Sequence, residues 1–148
     1  MTEIKIKKVS LDMLSEIAEI ERECFSSPWS EKSLELLLGD NAVGFAAFCD
    51  GVLVGYVGMM SVLDEGQITN VAVSSDFRRR GCARALLLAL EDYAREKGIV
   101  FLSLEVRRSN EAARSLYLAD GWCEAGVRKN FYTLPSEDAI VMTKTLEK

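Results

Sequence analysis

The stretch that most constrains this chain runs Ile68-Thr-Asn-Val-Ala-Val-Ser-Ser-Asp-Phe-Arg-Arg-Arg-Gly-Cys-Ala-Arg-Ala-Leu-Leu-Leu88. It opens as a strand, because Ile68, Val71 and Val73 are β-branched and lie between turn-forming neighbours. It closes as a helix, with Ala83, Leu86, Leu87, Leu90 and Ala94 recurring at helical spacing. The turn between them carries Arg78, Arg79 and Arg80, followed at once by Gly81. A helix N-terminus already holds about half a positive charge and several unpaired N–H groups. Arginines there are either simply solvated or answered by an anion. A phosphate or pyrophosphate, cradled by backbone N–H groups and framed by guanidinium groups, meets the second condition. The pattern is not Walker A, since no Lys-Ser/Thr follows the glycine, nor is it Gly-x-Gly-x-x-Gly.

Composition narrows the partners. The chain has 148 residues, 49% of them apolar, which predicts one domain over 1–148 with a real core. Its net charge of −5 does not suit a nucleic-acid backbone. An acidic chain with a local arginine cluster fits a small anionic ligand, and it could also receive a basic peptide. The absence of histidine removes His-dependent triads and His metal sites. Four cysteines, at 24, 49, 82 and 123, form no Cys-x-x-Cys pair, so a reduced chain is expected. No apolar run approaches the ~20 residues that span a bilayer. The N-terminus lacks the apolar centre of a signal peptide, which makes the cytoplasm the expected compartment.

Taken in order, Ile4 and Ile6 alternate with lysines as a first strand, and Ser10 precedes a helix with Leu11, Leu14, Ile17, Ala18 and Ile20 on its apolar stripe. Ser26 to Ser30 form a loop containing Pro28 and Trp29, and a second helix runs from Glu31 to Leu38, closed by Gly39. Strands at 43–49 and 52–62 flank Asp50-Gly51, the dipeptide of a tight type I′ hairpin. After the arginine turn the helix stops at Gly98, and Ile99 to Val106 read as a buried strand. Strand, crossover helix and strand make a right-handed parallel pair. Asn110 caps a short helix to Leu118, and strands at 122–127 and 139–146 complete a mixed α/β sheet flanked by helices.

Two residues carry candidate chemistry. Glu105 interrupts the apolar strand Leu102-Ser-Leu-Glu-Val-Arg107 near its carboxyl end, where α/β folds place their sites. It either pairs with Arg107 or Arg108, or serves as a general base. Tyr117 lies about two helical turns beyond Asn110 and is either a core aromatic or an acid. A phenol, with a pKa near 10, is protonated at neutral pH and could protonate a departing thiolate, whose conjugate pKa is about 8.5.

Arg78-x-x-Gly81-x-Ala83 after a Val-Ala-Val strand resembles the acetyl-coenzyme A signature of the GNAT acetyltransferases. Glu-Val-Arg, Asn110-x-Ala-Ala, Leu-Tyr117-x-x-x-Gly-Trp and Pro28-Trp-Ser-Glu-Lys resemble, within that superfamily, the ribosomal-protein-alanine N-acetyltransferases (RimI type). The likeness spans nearly the whole chain. Arg78 stands where glutamine is commoner, Ala83 where glycine is also common, and Trp122 where phenylalanine is common.

The resemblance implies a GNAT fold, mostly antiparallel with a central parallel strand pair, and acetyl-coenzyme A as co-substrate without a metal. Glu105 would be the general base and Tyr117 the general acid. Val71, Ala72 and Val73 would hold the pantetheine arm through their backbone. Arg79, Arg80, Gly81, Cys82, Ala83 and Arg84 would surround the pyrophosphate, and Asn110 would also touch the cofactor. The loop holding Trp29 would border the acceptor groove. The implied acceptor is the N-terminal alanine of a small-subunit ribosomal protein, with no direct nucleic-acid or membrane partner. A lysine or small-amine acetyltransferase and a non-catalytic coenzyme A-binding regulator stay open beside this reading. The oligomeric state is also open, a monomer being compatible.

Overall fold

A computed structural model describes residues 3–146. Its frame is a seven-stranded sheet with spatial order β1-β2-β3-β4-β5-β7-β6. The strands are β1 (Ile4–Lys8), β2 (Ala42–Cys49), β3 (Val52–Val62), β4 (Glu65–Val73), β5 (Phe101–Arg107), β6 (Cys123–Tyr132) and β7 (Glu137–Thr145). Neighbours run antiparallel except β4 and β5, which are parallel, as the sequence predicts. Asp50 and Gly51 both take positive φ, at 51° and 80°, and make the tight turn expected between β2 and β3.

Helices cover both faces. On one side lies α3 (Cys82–Glu96), which buries Cys82, Leu86, Leu87, Leu90 and Ala94 in a core that also holds Leu104, Val106, Tyr117 and Trp122. Gly98, at φ 78°, ends the helix in the left-handed conformation a glycine tolerates. On the same side sits α4 (Glu111–Ala119), whose Asn110 cap accepts from the Ala113 N–H at 3.2 Å. The opposite face carries α1 (Leu14–Cys24) and the single turn α2 (Glu31–Leu34). There Leu14, Ile17, Ala18 and Leu34 pack on Ala46, Tyr56 and Ala72.

Three local expectations shift. Ser10 precedes a short 3-10 turn but its hydroxyl bonds the Asp12 side chain and caps no N–H. The second helix changes to 3-10 geometry over Glu35–Leu38, and Gly39 at φ −76° needs no glycine freedom. Lys129 to Tyr132 belong to β6, not to the loop that follows it.

The feature that makes a site is where the parallel pair stops. Strands β4 and β5 pair only over Glu65–Phe101, Gly66–Leu102 and Gln67–Ser103, although β4 continues to Val73 and β5 to Arg107. At the same point β4 shifts register against β3, because Gly58 faces Asn70 while Met59 faces Ile68, which leaves Thr69 as an extra residue. A bulge bends its strand and increases twist. Beyond it β4 stays with β3, β5 stays with β7, and the sheet opens between them.

Gly55 keeps the far half of β4 close to β3: a Cβ there would stand 2.9 Å from the Ala72 carbonyl oxygen. That neighbour is backbone and cannot rotate away. Gly55→Ala should therefore cost about 1–3 kcal/mol of stability, read as a lower midpoint in denaturant with the slope unchanged.

Candidate active site

Strand alternation decides which side chains meet in the opening. Leu102, Leu104 and Val106 point into the core beneath α3, so Ser103, Glu105 and Arg107 face the α1 side. Gln67 faces that side too, since Ile68 beside it is in the α3-side core. Its amide donates to both Glu105 oxygens at 3.3 and 3.4 Å. The Glu105 side chain is 12% exposed, and its ion-pair partner is Arg128 of β6, at 3.5 Å. Neither Arg107 nor Arg108 fills that role. Arg107 instead pairs with Glu137 at 3.2 Å and donates to the carbonyls of Thr133 and Pro135, each at 3.0 Å.

That arginine also stacks 4.5 Å from the centroid of the Tyr132 ring. Burial is the main cause that pushes the Tyr132 phenol up to about 12, and the neighbouring Glu105 charge adds to it. Tyr132 in turn bears on Tyr117, whose phenol is pushed well above its ordinary range, chiefly by burial. Tyr117 lies on α4, on the other face of the sheet, packed 5.7 Å from Trp122. At 5% exposure it is a core aromatic, yet its hydroxyl makes no hydrogen bond among the described residues. A phenol held protonated with an uncommitted hydroxyl can still act as a donor. Tyr132 therefore lies electrostatically between a carboxylate on one face and a phenol on the other.

The arginine turn has the backbone geometry of an anion cradle. Arg79 at φ 63° and Gly81 at φ 85° are both left-handed, a backbone alternation that turns successive N–H groups toward one point. Among the described residues, the N–H groups of Arg79, Arg80, Gly81, Cys82, Ala83 and Arg84 have no protein acceptor. The first turn of α3 contains no acidic residue, and Gly81 offers no capping side chain. Arg79, Arg80 and Arg84 are exposed, with Arg80 stacked 5.2 Å from the Phe77 ring centroid.

Arg78 is exposed too, but its guanidinium is tied back to the protein, donating from Nε to the Val73 carbonyl at 3.0 Å and from Nη2 to the Cys24 sulfur at 3.4 Å. It fixes the turn to the end of β4. Cys82 is buried, and burial raises its thiol, so only its backbone N–H faces the cradle.

The Val73 carbonyl points away from β3, whereas the next N–H, of Ser74, points toward it, at 2.7 Å from the Val54 oxygen. Val71 shares the parity of Val73, so its backbone groups also face the opening, while Ala72 faces β3. An extended ligand lying in the gap would find a strand edge there. Asn110 uses its Oδ1 to cap α4 and keeps its NH₂ group for other partners. Gln67, Arg128 and Tyr132 are the residues that sequence reading missed, because each joins the site through a long-range contact.

Residues 14–122 match the sequence model of the acetyltransferase (GNAT) family, so the chain belongs to the GNAT acetyltransferases. A [ribosomal protein bS18]-alanine N-acetyltransferase of Escherichia coli K12 is 40% identical over 125 residues, 83% of this chain and 84% of that protein. Its Salmonella typhimurium counterpart is also 40% identical, over 84% of this chain and 85% of that one. The crystal structure of the E. coli ribosomal-protein-S18-alanine N-acetyltransferase superposes with a TM-score of 0.91 at 35% identity, covering 99% of this chain and 96% of that one. Within the GNAT enzymes, the chain falls in the ribosomal-protein-alanine N-acetyltransferase family.

The GNAT family uses acetyl-coenzyme A. A side chain at Gly81 would meet no protein atom within 4 Å, so it would strain the left-handed backbone and occupy the mouth of the cradle. Gly81→Val should weaken coenzyme A by roughly 10–100-fold, the worth of one or two charge-assisted hydrogen bonds. Isothermal titration of the folded variant measures this; wild-type affinity would remove the cradle from the binding site.

Proposed function

We propose that residues 1–148 form one cytoplasmic acetyltransferase domain that moves the acetyl group of acetyl-coenzyme A to the N-terminal alanine of a small-subunit ribosomal protein. The carrying observation is the opening between β4 and β5, with Glu105 facing it from the α1 side and Tyr117 approaching from the α3–α4 side. The high-coverage relatives named for this activity support the same acceptor. No helix among the described residues is long and apolar enough to cross a membrane.

The residues divide the work. The turn at 79–84 takes the pyrophosphate on free N–H groups, and the β4 edge at Val71 to Val73 aligns the pantetheine arm. That arrangement brings the thioester to the level of Gln67 and Glu105, where the sheet begins to part. On the α1 side Glu105, oriented by the Gln67 amide and Arg128, accepts a proton from the incoming ammonium, directly or through water. The neutral amine forms its C–N bond to the thioester carbonyl, and the C–S bond breaks. Tyr117 donates its proton to the departing sulfur, and the second proton that the nitrogen sheds as it becomes an amide returns to the phenolate. The raised pKa of Tyr117 keeps it protonated until that donation.

An α-amine, with a pKa of about 8, is neutral at pH 7 roughly a hundred times more often than a lysine amine at about 10.4. A single carboxylate base therefore has less to do with an N-terminus.

Two outcomes test this reading. Mass spectrometry should find one acetyl group on the α-amine of an Ala-started basic peptide, and none on the lysines of its N-terminally blocked twin. Equal labelling of both would reject N-terminal selectivity. Tyr117→Phe should lower kcat by roughly 10²–10⁴-fold with coenzyme A affinity retained, and Glu105→Gln should also lower it. A folded Tyr117→Phe enzyme with wild-type turnover, where chemistry limits the rate, would leave that tyrosine a packing residue.

A further inference from the structure

Glu21 falls on the apolar stripe of α1, four residues after Ile17 and three after Ala18, and is 0% exposed. A carboxylate there should be costly. Three donors converge on it. Oε1 accepts the backbone N–H of Trp29 at 2.7 Å, and Oε2 accepts the Tyr56 hydroxyl at 2.5 Å and Asn70 Nδ2 at 2.8 Å. Among the described residues no lysine or arginine nitrogen lies within 4.0 Å of it. The site is built for a group that only accepts. An ionised carboxylate offers two accepting oxygens, whereas a glutamine would turn an NH₂ against at least one of these donors.

The three donors belong to three different parts of the site. Trp29 is in the loop between α1 and α2, Tyr56 is mid-β3, and Asn70 directly follows the Thr69 bulge that parts β4 from β5. Asn70 keeps its Oδ1 buried without a partner, as does Thr69 its hydroxyl, so the Glu21 bond is what fixes the Asn70 side chain. The loop has a second tether at its other end: the Ser26 hydroxyl donates to the Thr133 carbonyl at 3.3 Å, and Arg107 reaches Ser26 at 3.5 Å. Glu21 thus ties the lip of the α1 side to the strand whose departure opens the gap. The Ser26 end is tied to the β6–β7 hairpin and Arg107, one residue pair from Glu105.

We propose that Glu21 is a positioning residue for the amine acceptor, holding the Ser26–Ser30 loop against the β4 bulge so that an acceptor entering beside Trp29 meets the acetyl group in line. The proposal rests on the acetyltransferase reading above. It separates acceptor alignment from cofactor binding, because the arginine turn is tied to α1 through Glu23 and Cys24 rather than through Glu21.

The test uses the full chain with Glu21→Gln. The Trp29 amide should lose at least about 10-fold of its hydrogen-exchange protection, since the remaining carbonyl oxygen would face the two donors Tyr56 and Asn70 and the NH₂ would face Trp29. For an Ala-started peptide kcat/KM should fall by roughly 10–100-fold, the scale of an ångström-level misplacement, while coenzyme A affinity stays within about two-fold. Tyr56→Phe removes one donor without changing shape and stands in if Glu21→Gln does not fold. It should lower the same peptide kcat/KM by about 3–10-fold with the same sparing of coenzyme A. Unchanged peptide kinetics in a folded variant, or equal losses for peptide and coenzyme A, would overturn the proposal. A wild-type chain inactive on every amine would remove the acetyltransferase reading and this proposal with it. An active wild type with an indifferent Glu21→Gln removes the proposal alone.

Discussion

The proposed site depends on a sheet that is paired for three residues between β4 and β5 and then is not. A parallel pair normally continues because each unpaired N–H and C=O in a buried place is costly. Here the interruption is built in by the register shift at Thr69, which carries β4 away with β3 while β5 remains fully paired to β7. The freed strand edge, the Val71 backbone groups and the Val73 N–H, then lacks a partner in the protein. In the proposed function an extended ligand would supply one, anchored by the partner-free N–H groups of the arginine turn. The two features reinforce each other, since Arg78 binds the carbonyl of Val73 and so fixes the turn to the edge.

In the proposed reaction, the opening would solve a geometric problem of acyl transfer. A base must face the nucleophile, and an acid must face the leaving group, from roughly opposite directions. Strand alternation places Glu105 on the α1 face, and α4 brings Tyr117 from the other. A continuous sheet would hold them apart. Burial raises the Tyr117 phenol, while Glu105 pairs with Arg128 and accepts from the Gln67 amide.

Much of this was legible in sequence because it rests on local chemistry. The three arginines before Gly81, the stripe of α3, Asp50-Gly51 and the Asn110 cap each announce themselves within a few residues. The bulge does not. Thr69 is neither glycine nor proline, and the extra residue exists only relative to β3. β6 runs past the strand predicted at 122–127, because an edge strand exposed along nearly its whole length shows no period-two burial pattern. Glu105 was visible as a misfit in an apolar strand, but its partner Arg128 lies 23 positions away on a strand reached through β7. Glu21 did leave a trace, since a glutamate on the stripe of Leu14, Ile17 and Ala18 contradicts the pattern around it. Its three donors, on separate elements, could come only from the fold.

The central claim is that cofactor and acceptor meet in the gap between β4 and β5. The most direct measurement is a crystal structure with coenzyme A covalently joined, through an acetyl bridge, to the α-nitrogen of an Ala-started peptide. The account predicts the pyrophosphate on the N–H groups of residues 79–84 and the pantetheine along Val71 to Val73. It puts the sulfur within hydrogen-bond reach of Tyr117, and the peptide between the Trp29 loop and the β6–β7 hairpin. A conjugate whose sulfur lies away from Tyr117, or whose peptide leaves by the α3 face, would contradict it.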